Sequence, residues 1–178
     1  MDYRGAVLAV LGTIMVGCGA VPGASQKPLP VDVERGEPIS RAEFEKLKML
    51  PDVGVYVITA DDDEGKLRSQ SVSSCTVINR PEVNRPATNR VDGQVYAYCT
   101  ATFAYITIKS RLEDQTTFAS VDKTFRDSLK RETSAYAGTL PKVNGRRYCL
   151  ASFTTVSFVG GSTGSGAGPL GCATARSY

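Results

Sequence analysis

Four cysteines in the body of the chain, Cys75, Cys99, Cys149 and Cys172, constrain the fold more than any other feature. Cys75, Cys99 and Cys149 each lie in a run of β-branched and aromatic residues. An even number of cysteines is what an oxidising compartment turns into disulfides. Three pairings are possible in principle. Residues opposed across an antiparallel hairpin have numbers with a constant sum, and their Cα atoms fall within the reach of a disulfide. With 67–78 and 94–108 as the two strands, pairing Cys75 with Cys99 centres the hairpin on Ala87, the middle of the polar stretch 79–93. Cys99 then shares a strand face with Val95, Ala97, Ala101 and Phe103, so the bridge faces the core. Pairing Cys149 with Cys172 centres the second loop between Gly160 and Gly161 and staples the C-terminal stretch to the strand run 148–159. Each bridge closes roughly 25 residues, worth ~3 kcal/mol by loop entropy. The clustered spacing of a metal site is absent, so structural disulfides are expected.

The rest of the body reads as mixed secondary structure. Ser40-Arg41-Ala42-Glu43 is a capping box, followed by Phe44, Leu47 and Leu50 at helical spacing and stopped by Pro51. Val53 to Ile58 is a β-rich run. Val121, Phe125 and Leu129, at four-residue spacing, predict a second amphipathic helix over 121–132, with Ser120 as its N-cap. Gly160 to Gly171 reads as a flexible loop. The order α-β-β-β-α-β points to an α+β fold: a mainly antiparallel sheet with two short helices, stapled by disulfides.

Residues 1–18 read as an address. Arg4 precedes an uncharged apolar run, Ala6 to Val16, of eleven residues. As a helix that run would measure about 16 Å, half the hydrocarbon thickness, which suits a secretory signal and not a spanning helix. It ends in Met15-Val16-Gly17-Cys18. This stretch resembles the lipobox of bacterial lipoproteins, in which the cysteine is acylated and becomes the first residue. The resemblance covers residues 1–18 only. It implies Cys18 as the lipidated N-terminus, with 1–17 removed as signal peptide. Gly19 after the cysteine, where Asp would signal inner-membrane retention, implies the outer membrane. Cys18-Gly19-Ala20 also offers the small residues of an ordinary export signal, and both readings take the chain out of the cytoplasm. Residues 18–38 carry Pro22, Pro28, Pro30 and Pro38 and read as a lipid anchor with a Pro-rich tether reaching ~60 Å. Residues 39–178 then form one α+β envelope domain.

Composition removes several functions. The chain has no His, which excludes His-based acid–base catalysis, Ser-His-Asp and Cys-His arrangements and imidazole metal ligation. A net charge of +3 is too small to predict a nucleic-acid partner, and none is expected. Gly166-Ala167-Gly168-Pro169-Leu170-Gly171 fits G-x-G-x-x-G, but too few residues follow for the helix and acid a dinucleotide site needs. Ser120-Val121-Asp122-Lys123 fits S-x-x-K without its companion motifs. Asp61, Asp62, Asp63 and Glu64 with Gly65 miss EF-hand spacing by one residue and read as a solvated turn. No cofactor, metal or catalytic constellation is expected.

The most distinctive stretch is a pentad repeat that sets Arg80, Arg85 and Arg90 five residues apart among Asn and Pro. In a polyproline II loop these arginines would splay to three sides, ready to fork onto carboxylates or phosphates. They are the candidate partner contacts. An anchor, a tether, a stapled domain and no catalytic set imply a non-catalytic envelope lipoprotein. It would bind the membrane through its lipid and protein partners through its domain, as scaffold or accessory subunit of an outer-membrane assembly. The alternative is a lipid-anchored module for a small ligand, a glycan or a foreign enzyme.

Overall fold

Strand alternation, not helical spacing, governs nearly everything after residue 53. The computed structural model describes residues 36, 38–60, 72–83 and 89–176, all inside one compact unit, Asp32–Tyr178. The helix is α1 (Arg41–Leu47). The strands are β1 (Gly54–Thr59), β2 (Ser74–Glu82), β3 (Arg90–Asp114), β4 (Ser120–Pro141), β5 (Arg147–Phe158), β6 (Thr163–Ala167) and β7 (Gly171–Thr174). All pair antiparallel in a seven-stranded, near-barrel sheet. The mainly antiparallel class therefore holds, with one helix among the described residues instead of two. Cys18, the tether up to residue 35, the acidic turn 61–65 and Arg85 lie outside the described residues.

The expected helix over 121–132 is strand β4, and Ser120 is its first residue, not an N-cap. The reason is arithmetic. A spacing of four places Val121, Phe125 and Leu129 on one face of a strand as readily as on one face of a helix. Pairing with β3 decides the matter: Val121 lies opposite Leu112 and Phe125 opposite Ile108, both buried in the core. The Gly160–Gly171 stretch is likewise no loop, because β6 and the start of β7 fall within it. Its small residues let the backbone press on β1 and β2. A side chain at Gly171 would collide with the Asn79 carbonyl.

β3 organises the body. One edge pairs with β4 along its length. The other is taken by β2 up to Cys99 and by β5 from Phe103 onward. The step between Tyr98 and Phe103 breaks the register, which bends the strand and lets its two halves join different faces of the near-barrel. The ribbon coils until the start of β4 meets its end: Val121 methyl groups fill the space a Cβ would occupy at Gly138, whose φ is +105°. Val91, Val95, Ile106, Ile108, Leu112, Tyr148, Leu150 and Val156 fill the interior. A satisfied polar network crosses it, with the Tyr56 hydroxyl 2.8 Å from Ser152 Oγ and 2.9 Å from Thr154 Oγ1. Asn79 accepts from Ser152 Oγ and donates to the Pro169 carbonyl.

Both disulfides form, Cys75–Cys99 and Cys149–Cys172, each between directly opposed strand residues. Cys75 and Cys99 belong to the apolar core. Cys149 falls between the inward-facing Tyr148 and Leu150, so the second bridge sits on the outer face of β5.

Candidate functional site

The outer face of β2 and β3 carries a second, smaller apolar cluster. The capping box forms as expected: Glu43 N–H donates to Ser40 Oγ, and the Glu43 carboxylate accepts from the Ser40 N–H at 2.8 Å. The Ser40 hydroxyl also donates to that carboxylate at 2.7 Å, and this bond first, then the Ser40 N–H, draws the Glu43 pKa below its ordinary value. The helix so fixed lays Phe44 and Leu47 on Ile78 and Tyr96. Next to it the Phe44 and Tyr98 rings sit 5.2 Å apart, and the Arg41 guanidinium lies 4.8 Å above the Tyr98 ring. A hydrogen bond with Glu132, opposite on β4, raises the Tyr98 phenol pKa, with desolvation adding to it.

Between α1 and β4 this face opens into a groove of about 290 Å³, walled by Phe44, Tyr96, Tyr98, Asp127, Lys130 and Glu132 among others. The N-terminal segment closes one rim: Gly36 N–H donates to the Ser134 carbonyl at 3.1 Å, and Ser134 Oγ donates back to the Gly36 carbonyl at 2.7 Å. Asp127 shapes the other rim. Its carboxylate accepts from Thr133 Oγ1 (2.7 Å), Ser128 N–H (2.9 Å) and Lys130 Nζ (3.0 Å). Desolvation pushes its pKa up, but the Thr133, Lys130 and Ser128 bonds outweigh that and hold it below the ordinary carboxylate value. This cage holds Leu129 at φ +57° with 73 % of its surface exposed. A left-handed backbone costs a residue with a Cβ ~1–2 kcal/mol. The spacing argument for a helix placed Leu129 on its apolar stripe; the bulge turns it outward.

Asp114 does the same at the β3–β4 turn. It is 3 % exposed and accepts from Arg146 (2.8 Å), Thr116 N–H (2.9 Å) and Thr117 Oγ1 (2.9 Å). Desolvation opposes ionisation, yet the Thr116, Arg146 and Thr117 bonds prevail and bring the pKa to about 2. The turn it braces presents Phe118 at φ +59° and 71 % exposed.

The arginine repeat is not one loop. β2 continues through Glu82 and β3 begins at Arg90, so Arg80 and Arg90 stand on strands and a polyproline splay does not describe them. The Arg80 guanidinium lies 3.2 Å from the Glu82 carboxylate, while Arg90 is exposed beside the β4–β5 turn, where Lys142 N–H donates to the Asn89 carbonyl. Sequence reasoning thus found one outward-facing arginine of this end and missed the groove. Nothing local marks the groove, because Tyr98 and Asp127 meet only through the β3–β4 pairing. Among the described residues no cluster of three His, Cys, Asp or Glu could hold a metal. Aromatic walls with charges of both signs suit binding, and the perturbed carboxylates are engaged in bracing turns. Neither a protein family, nor a curated protein, nor a solved structure matches this chain.

Proposed function

We propose that the chain is a non-catalytic lipoprotein of the cell envelope, anchored through Cys18 and serving as an accessory subunit of an outer-membrane assembly. The observation that carries this reading is the combination of a signal-like start ending at Cys18 with a body stapled by two disulfides, which need an oxidising compartment. Partner contacts would involve Arg90, with Arg80 and Arg85 from the same repeat. A second reading, a binding module for a peptide or glycan, draws support from the aromatic groove beside α1. Cys18→Ser should abolish lipid labelling and move the protein from the membrane to the soluble envelope fraction. Unchanged labelling and fractionation would overturn the anchor. Native gels of mild-detergent extracts separate the two readings: an assembly subunit migrates in a large complex, a ligand module alone.

A further inference from the structure

We infer that one end of the near-barrel is a membrane-contact surface, on which Phe118 enters the headgroup layer of a bilayer while Arg90 and Arg147 engage its anionic headgroups. Four segments distant in sequence converge there. Gln115 N–H donates to the Arg147 carbonyl, Gly145 N–H to the Ala175 carbonyl, Ala175 N–H to the Arg146 carbonyl and Lys142 N–H to the Asn89 carbonyl. These bonds join the β3–β4 turn, the β4–β5 turn, the start of β3 and the C-terminal segment. The same end therefore carries Arg90, Lys142, Arg146, Arg147 and Arg176.

Most of its acids are engaged. Asp114 is buried against Arg146, Glu82 lies against Arg80, Asp92 accepts from the Tyr136 and Thr139 hydroxyls, and Glu113 shares Arg111 with Asp122, the one of these that stands exposed. The outward charge is positive around two apolar residues, Phe118 and Val143, of which Val143 is 40 % exposed. Apolar tips ringed by cations are what an anionic membrane surface attracts, the cations by headgroup charge and the ring by burial at the acyl boundary. Phe118 is presented by a turn that Asp114 braces through its backbone and its carboxylate, so its exposure is built in.

This inference rests on the envelope reading only in requiring a membrane within reach. The chain contains no Trp, so Phe118→Trp creates a single Trp which, excited selectively over the tyrosines, reports its own surroundings whatever the N-terminus carries. The full-length Cys18→Ser chain with Phe118→Trp is mixed with vesicles of phosphatidylcholine alone or mixed with phosphatidylglycerol. The expected result is a blue-shifted emission, quenched by brominated acyl chains, with anionic vesicles only and lost at high salt. Each basic side chain near an anionic leaflet is worth about a factor of five. Arg90→Gln with Arg147→Gln should therefore weaken vesicle binding about 25-fold, measured by co-sedimentation in a chain that keeps Phe118. Because that measurement needs no Trp, it stands even where the Trp variant folds poorly. Solvent-like emission with anionic vesicles, or co-sedimentation indifferent to the two arginines, would overturn the inference. So would a Trp response to a soluble polyanion with none to vesicles, which would point to a polyanionic macromolecule.

Discussion

Asp114→Asn tests whether one buried charge holds the β3–β4 turn. The change keeps the shape of the side chain but removes the anion that Arg146 and the turn donors face. The carboxyl pKa falls from 3.8 to about 2 on folding. At about 1.36 kcal/mol per tenfold change in proton affinity, that is at most ~2.4 kcal/mol. Asp114 is covered but lies close beneath the surface, and a third of the Arg146 side chain is exposed. Solvent screening brings the figure to about 1–2 kcal/mol. For a domain of this size that is a melting-point loss of roughly 3–8 °C at neutral pH. The pH dependence carries the diagnosis. A depressed folded-state pKa contributes stability that is complete above the unfolded value of 3.8 and lost as pH falls through about 2. Thermal melts of wild type and Asp114→Asn should therefore differ by a constant amount from neutral pH down to about pH 4, then converge towards pH 2. Other carboxylates titrate equally in both proteins and cancel from the difference. A gap that stays constant down to pH 2 would refute the electrostatic reasoning and leave only packing; no gap at neutral pH would refute the bracing role itself.

The two disulfides should not be equivalent. Their sequence separations are 24 and 23, so loop entropy assigns ~3 kcal/mol to each. Cys75→Ser/Cys99→Ser buries two hydroxyls inside the apolar core, where Cys149→Ser/Cys172→Ser buries one outside it, and should cost a further ~1–3 kcal/mol in denaturant melts. Equal losses would contradict the inward and outward placement of the two bridges. Leu129→Asn should raise the melting temperature, by the equivalent of up to ~1 kcal/mol, because Asn accepts a left-handed backbone at lower cost than Leu. A lower melting temperature would mean that the exposed leucine makes stabilising contacts its exposure does not suggest.

How much of this was legible in the chain follows from the range over which each signal acts. The cysteine registers were readable because a hairpin fixes which numbers oppose one another, and the bonds at Cys75–Cys99 and Cys149–Cys172 fall on that register. The α1 cap was readable because Ser40 and Glu43 are three residues apart and need nothing distant. The identity of β4 was not, since a spacing of four satisfies both periodicities and only the partner strand separates them. The glycine-rich β6 was not, because its small residues answer to the close approach of β1. Arg90, Phe118 and Arg147 reveal a common end only after a ribbon of 25 residues has coiled back on itself.

Phe118 and Leu129 carry the remaining argument, because they break local rules in the same way. Gly, Asn and Asp take the left-handed region at least cost, yet both positions hold large apolar residues, exposed, one on the β3–β4 turn and one at a bulge within β4, where nothing in the core needs them. Each is held there by an aspartate that the fold covers and keeps ionised through three donors, Asp114 for one and Asp127 for the other. Strain with no packing return, braced by a covered charge, occurs twice in one small domain. A chain shaped only for stability would relieve it by one substitution at either site. Local conflicts of this kind persist where a surface is used. One of the two residues stands at the basic end and the other beside the groove, so the conformational outliers fall on the two surfaces that charge and cavity shape single out independently.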